Sequence, residues 1–322
     1  MARQKLRIIL IAGCPRSGTT ILDNILGQSA GFFSGGELRD LWHVAQASDR
    51  LCVCGSRLRD CEIWKGVFGR LYGDVSLSRV LAERSRDPLR HLRLKDLWRL
   101  TTASGRKRFQ LLTTEHAREA QELYHAVSAQ TGAHTIVDST KLPAGTYLIT
   151  QIPSLDVYVV HLVRDARAVV FSRLRKKPDP SLPNTYLPSY GLVNSTLRWI
   201  LSQQVERLCN VPGRYLLLRY EDFMVAPDRE LQRIFTMIGD PAEQRPQIMN
   251  HTISLNLVHS INGNPSRFRK GPVILQPDDE WRSWMSGFDR AVVNALAWPL
   301  LRHYGYELNG RPAAQGPGWA AK

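Results

Sequence analysis

The sequence predicts an α/β protein: a three-layer fold with a central mostly parallel sheet and a helical insertion. Three observations carry this prediction: a strand, loop and helix unit at the N-terminus, a series of later apolar runs of strand length, and a composition able to fill a large core. Of the 322 residues, 43% are hydrophobic and 22% charged, as in ordinary globular chains, which excludes a disordered, collagenous or disulfide-dense protein. Length alone suggests two domains of about 150 residues, but large α/β proteins reach this size around one sheet. One domain over residues 1–308 is therefore expected, with the Gly-, Ala- and Pro-rich residues 309–322 as a loose tail.

The elements follow in order. Leu6 to Ala12 is a short apolar strand, GCPRSGTT turns, and Thr19 to Gln28 reads as a helix with Ile21, Leu22, Ile25 and Leu26 on one face. The basic residues of MARQKLRIILIAG precede an apolar run too short for a signal-peptide core. From roughly Leu77 to Gln130 helical spacing continues through Leu89, Leu92, Leu97 and Leu100, and this region reads as the insertion. His134 to Val137, Val157 to Val163 and Tyr215 to Arg219 are further strands. Pro178, Pro180, Pro183 and Pro188 impose an extended segment, a candidate gate over a site, before a helix at Asn194 to Leu208. Every apolar stretch falls far short of the roughly 18 residues needed to cross a bilayer. Five cysteines, one of them (Cys14) inside the glycine loop, argue for a reducing, cytoplasmic setting.

With 43 Lys and Arg against 29 Asp and Glu, the formal charge is +14, and Arg79 to Arg108 holds ten basic and three acidic residues. That run is a solvated face or meets an anionic acceptor or lipid surface, giving peripheral contact with an anionic membrane.

Gly13 to Gly18 satisfies G-x-x-x-x-G between a strand and a helix, a P-loop-like arrangement whose backbone N–H groups and helix N-terminus hold an anion. A nucleotide kinase needs Lys next, to reach the β and γ phosphates, and Thr19 stands there instead. Arg16 supplies a positive charge from within the loop and suits a single phosphate bearing one transferable group.

Here the residues resemble a known family. PRSGTTIL is similar to the 5′-phosphosulfate loop of sulfotransferases that use 3′-phosphoadenosine 5′-phosphosulfate (PAPS), especially the tyrosylprotein and carbohydrate branches. The resemblance assigns Arg16, Ser17, Gly18, Thr19 and Thr20 to the 5′-phosphosulfate. VVHLVRDARAVVFSRL resembles the 3′-phosphate-binding strand and helix, with Arg164 at the strand end and Ser172 eight residues on; a guanidinium forks onto phosphate oxygens and a hydroxyl adds a donor. HSINGNPSRFRKG is similar to the GNPxRF segment of carbohydrate-type sulfotransferases, and its Arg267, Arg269 and Lys270, followed by Gly271, offer a cationic loop to close over the 3′-phosphate. RYEDFM (Arg219 to Met224), the Trp281 to Trp284 segment and LLRHYGYEL also look like this superfamily, so the likeness covers the chain apart from the insertion and the tail.

Sulfuryl transfer needs a base for the acceptor hydroxyl, charge on the transferring oxygens and stabilisation of the departing phosphate, and no metal. For the base, Glu37 is favoured. A ten-residue helix from Thr19 descends about 15 Å, and an extended Phe32 to Glu37 climbs back roughly 20 Å, returning Glu37 to the carboxyl edge of the sheet where open α/β folds bind ligands. Gly36-Glu37 also matches the catalytic Glu of the tyrosylprotein branch. Glu37 could instead cap the following helix or pair with Arg39 or Arg16, leaving His43 or His134 as base. Lys141, in VDSTKLP, resembles the Lys those enzymes place near the bridging oxygen. Asp138, ending an apolar strand as a Walker-B carboxylate would, favours a kinase, or caps its own turn. Cys52, Cys54 and Cys61 lack the spacing of two zinc-knuckle pairs and would need a fourth ligand such as His43; they read as a metal-free subdomain beside the acceptor pocket.

The resulting expectation is a PAPS-dependent O-sulfotransferase with a small-molecule, carbohydrate or glycolipid acceptor, a tyrosine or other phenol staying open, and no nucleic-acid partner. A P-loop ATP kinase and a nonenzymatic basic polyanion binder, the latter with strong salt dependence, are the alternatives.

Overall fold

A computed structural model of the chain describes residues 5–46, 50–84, 94–179, 186–240 and 245–308. Its centre is β1 (Leu6–Ala12), covered on both faces and apolar at nearly every position for that reason. Strand alternation sends Ile8, Leu10 and Ala12 into one core and Ile9 and Ile11 into the other. The helix α1 (Thr19–Leu26) lays Leu22, Ile25 and Leu26 on the second core and stops two residues before the expected end. The chain then climbs back through β2 (Phe32–Ser34).

Between β2 and β3 (Thr135–Asp138) run α2 (Leu41–Gln46), α3 (Glu62–Tyr72), α4 (Leu77–Arg84), a 3₁₀ stretch at Leu94–Thr101, α5 (Ala103–Leu112) and α6 (Thr114–Thr131). The expected insertion ends inside the domain. Leu123, Tyr124 and Val127 of α6 are buried in the same core as Ile8 and Leu10, so this helix is part of the layer covering the sheet. The middle of the basic run, with Leu89 and Leu92, lies outside the described residues, as does the 309–322 tail.

Next come α7 (Pro143–Thr150), β4 (Leu155–Val163), α8 (Ala166–Leu174), α9 (Leu192–Ser202), α10 (Gln204–Cys209), β5 (Tyr215–Arg219), α11 (Tyr220–Val225) and α12 (Pro227–Ile238). The expected helix at Asn194 to Leu208 is split at Gln203, whose amide turns into the core to meet Trp199 O (2.8 Å) and His161 Nε2 (3.0 Å). The main sheet runs β2-β3-β1-β4-β5 and is parallel throughout, with Ile9 facing Val137 on one side and Tyr158 on the other. A separate antiparallel pair, β6 (Thr252–Leu255) and β7 (Gly271–Ile274), precedes α13 (Glu280–Trp284) and α14 (Gly287–His303). Trp281, Ala297 and Leu301 close a third cluster with Val163, Val169 and Trp199. Among the described residues no helix is long and apolar enough to cross a membrane.

Candidate active site

The order in which strands are added reverses beside β1, so the loops after β1 and β4 part and leave a crevice at the carboxyl edge. A cleft of about 870 Å³ opens there, lined by Arg16, Gly18, Thr19 and Thr20 from the loop after β1, Glu37 after β2, Lys141 after β3, Arg164 and Ser172 after β4, and Arg269. Nine of the twelve expected site residues thus meet at one opening. Ser17 is buried below the loop with its hydroxyl unpartnered, and Lys270 and Gly271 are not among the lining residues.

The loop is tightly determined. Gly13 sits at φ +145° with the Leu162 carbonyl oxygen 2.3 Å from where a Cβ would stand, and Gly18 at φ +90° would drive a Cβ into the Tyr220 ring. Arg16 takes a left-handed φ of +82°, a conformation that costs a side-chain-bearing residue free energy and occurs where surrounding structure enforces it. Here the enforcement is a bond from Arg164 Nη1 to the Arg16 carbonyl at 3.1 Å.

Arg164 is buried, donates from Nη2 to Asp278 O at 2.7 Å and stacks on the Tyr220 ring with its Cζ 4.4 Å from the centroid. Arg173, one residue beyond Ser172, stands over the Tyr190 ring and approaches Cys14 Sγ at 3.8 Å. Burial, and then the charge of Arg173, pushes the Arg16 guanidinium below its usual range. Burial followed by Arg16 does the same to Lys177, with Asp278 partly offsetting it. Buried nitrogens of three of these cations, Arg16 Nη1, Arg164 Nε and Arg173 Nε, have no protein partner. Crowded cations with donors left over are what a phosphate-rich anion satisfies, so the residues fit the 5′- and 3′-phosphate groups expected of them.

Glu37 lies at the edge where the chain arithmetic put it, and it is ion-paired with Lys141, both largely buried. It does not cap the following turn by its side chain. That task falls to Asp138, whose Oδ1 accepts from Leu38 N (3.3 Å), Thr140 N (2.8 Å) and Thr140 Oγ1 (2.6 Å) while Oδ2 accepts from Tyr124 OH (2.6 Å). Asp138 is therefore a buried tie between β3, α6 and the turn after β2, with both oxygens engaged, and not an open metal carboxylate. His43 lines the cleft. His134 sits at the amino end of β3, against Thr135 Oγ1 (2.9 Å) and the Phe32 ring, on the far edge of the sheet from Glu37.

The 259–271 segment reaches the site through Asn262 to Asn264, Ser266 and Arg269. Asn264 N donates to Thr20 Oγ1 at 3.2 Å, its side chain caps the Pro265–Phe268 turn through Ser266 N, and Gly263 packs close to Thr20 and Glu37. Arg267 points away, donating to Leu51 O at 3.2 Å. A polar chain continues from here: Asn262 donates to Asp40 (2.9 Å), Arg50 donates to Asn262 Oδ1 (3.2 Å), and Arg50 reaches Asp179. Sequence reasoning missed Arg173, Lys177, Asp40, Asn262 and Asp278. Two of them carried a signal: Arg173 stands directly after Ser172 on the same helix, and Asn262 lies within the HSINGNPSRFRKG segment. Around the expected gate, Pro178 bridges Tyr186 and Leu187 N donates to Lys177 O at 2.9 Å, with Leu187 and Pro188 on the cleft; Pro180 and Pro183 lie outside the described residues. Near Cys52, Cys54 and Cys61 the side chain found is His259, not His43.

The sulfotransferase family model matches residues 9–244. No curated protein matches. The sulfotransferase domain from the Synechococcus PCC 7002 olefin synthase aligns over 95% of this chain and 98% of its own at 20% identity, with a TM-score of 0.50. Sulfotransferase STF9 from Mycobacterium avium aligns over 96% and 79% at 15% identity (TM-score 0.44), and mouse sulfotransferase SULT7A1 complexed with PAP over 93% and 86% at 13% identity (TM-score 0.43). The first of these likenesses is one of fold; the family match runs from within β1 past the end of α12.

Proposed function

We propose that this chain, which belongs to the sulfotransferase family, transfers the sulfuryl group of PAPS to a hydroxyl of a carbohydrate or glycolipid. Membership makes it a PAPS-dependent sulfotransferase; the acceptor and the division of labour among residues are the proposal. The observation that carries it is the meeting of Glu37 and Lys141 with the loop after β1 and with Arg164 and Ser172 in one cleft.

PAPS supplies the activated sulfuryl group and departs as 3′,5′-ADP. Arg164 and Ser172 hold the 3′-phosphate, and the loop amides with Arg16, Thr19 and Thr20 hold the 5′ side. Glu37 takes the proton from the acceptor hydroxyl as its oxygen forms the new O–S bond. Lys141 keeps Glu37 oriented in the resting protein and lends its ammonium to the sulfuryl and bridging oxygens as negative charge gathers on the leaving phosphate. The cations around Arg16 and Arg173 already stand in place, so little reorganisation is needed at the moment of transfer.

The carbohydrate reading rests on the lining beside Glu37. Asp40, His43, Arg50, Asp179 and Asn262 face the cleft there, and such groups hydrogen-bond a ring of hydroxyls. A phenol would instead want an apolar slot. Incubating the protein with radiolabelled PAPS and an extract of its own cells tests this: label enters glycan or glycolipid fractions, and Glu37→Gln abolishes it. Label confined to protein or phenolic fractions would contradict the acceptor class while leaving the chemistry intact.

A further inference from the structure

We propose that Cys52, Cys54, Cys61 and His259 hold a structural zinc ion that pins one wall of the cleft. Their ligand atoms, three Sγ and one imidazole nitrogen, all lie within 4.8 Å of one another. His259 Nδ1 is 3.3 Å from Cys61 Sγ and 3.9 Å from Cys52 Sγ. A tetrahedral zinc with Zn–S near 2.3 Å and Zn–N near 2.05 Å spaces its ligands about 3.8 Å sulfur to sulfur and about 3.6 Å sulfur to nitrogen. Cys52 and Cys61 stand at that spacing from the His259 nitrogen to within a few tenths of an ångström, and all four ligand atoms share one small volume.

The backbone is shaped for this. Cys52 to Gly55 forms a tight turn closed by Gly55 N to Cys52 O (3.0 Å) and Cys52 N to Ser56 O (2.9 Å), with Gly55 at φ +91° and Leu51 bridging Arg57. The turn presents two thiols to one point. Cys61 occupies the position just before α3, at the helix N-terminus where the dipole favours a thiolate. His259, far away in sequence, is fixed from the other side by Trp64 Nε1 donating to its carbonyl at 2.7 Å. All three cysteines are free, Cys52 and Cys61 buried, and Cys54 and His259 half-buried. Four protein ligands fill a tetrahedron and leave no position for substrate, so the ion is structural. Three thiolates and a neutral imidazole on Zn²⁺ carry one net negative charge. The buried Arg267, bonded to Leu51 O with Nη1 unpartnered, lies beside it to balance that charge.

The function follows from what His259 leads into. Ile261 N donates to Gly35 O at 3.2 Å, Asn262 holds Asp40, and Gly263 packs by Thr20 and Glu37. The ion ties this strip, contributed from the far end of the chain, to α3 and the 51–61 turn. The sequence spacing hid it, because the fourth ligand lies 198 residues from Cys61.

The test is zinc content by mass spectrometry of the full chain, purified without a metal-affinity column. About one zinc per chain is expected, and cobalt substitution should give tetrahedral d–d bands with a thiolate charge-transfer band. Chelation should lower the melting temperature by about 5 °C or more. His259→Cys keeps the metal and His259→Ala loses most of it, a comparison that survives if Cys52→Ser or Cys61→Ser fails to fold. Zinc far below one per chain after growth with added zinc would overturn the proposal. So would a Cys52–Cys61 disulfide in the native protein, or equal zinc in His259→Ala and wild type. None of these readouts depends on sulfuryl transfer.

Discussion

Glu37 and Lys141 come from the ends of two adjacent strands and meet only because β2 and β3 run parallel, with Ser34 beside Val137. Removing the carboxylate leaves the anion cradle untouched. Glu37→Gln should therefore lower kcat by about 10²- to 10⁴-fold while 3′,5′-ADP affinity stays within about twofold, read by steady-state kinetics and calorimetry; an equal loss of both would make Glu37 a structural residue. Chain arithmetic found where Glu37 would lie, yet the ion pair was not legible, since nothing in VDSTKLP says which way Lys141 turns. Asp23 went unnoticed among the polar residues of α1 (TTILDNIL). Burial pushes its carboxyl up to about 8 from 3.8. Between these values the unfolded chain has released a proton that the folded one keeps, so Asp23's contribution to stability is full below about 3.8 and declines as pH rises to about 8. Asp23→Asn should remove that decline, giving higher urea midpoints than wild type at pH 8 and little gain at pH 4.

At the scale of elements, the strands that read clearly were those buried on both faces, because such strands are apolar at most positions, as Leu6–Ala12 is but for Arg7 and Leu155–Val163 but for Asp156 and His161. The three residues of β2 and the four each of β6 and β7 are too short for any period to show. The loop after β1 was legible from its glycines, and the structure gives the reason for two of them. Gly13→Ala must push a Cβ against the Leu162 backbone at φ +145°, and it should cost more than about 3 kcal/mol of stability by chemical denaturation; a loss under about 1 kcal/mol would mean the loop relaxes. The break between α9 and α10 was not legible because its cause, His161 on β4, lies 42 residues from Gln203. Burial lowers the His161 imidazole to about 4 from 6.5. The unfolded chain takes up a proton in that window while the fold refuses it, so stability is full above about pH 6.5, falls toward pH 4 and then levels. Urea midpoints for wild type and His161→Gln should converge as pH drops from 7 to 4, if the variant folds with its Gln203 contact intact.

For the molecule as a whole, the sequence disclosed the parallel architecture and nine of the residues at the cleft, because both depend on short motifs in fixed order along the sheet. It hid what long-range closure assembles: the Arg16, Arg173 and Lys177 crowding, the Asp40–Asn262–Arg50 chain, and His259 among the cysteines. On the proposed function, one nucleotide places its 5′ and 3′ phosphates at two positions in the cleft. Calorimetric titration of the protein with 3′,5′-ADP and with 5′-ADP, each with and without Mg²⁺, decides it. Binding should favour 3′,5′-ADP, ignore Mg²⁺, and weaken by about 30-fold or more in Arg164→Ala, as for loss of one partner of a buried charge pair. A preference for 5′-ADP that requires Mg²⁺, or an Arg164→Ala variant that binds both nucleotides as wild type does, would contradict it.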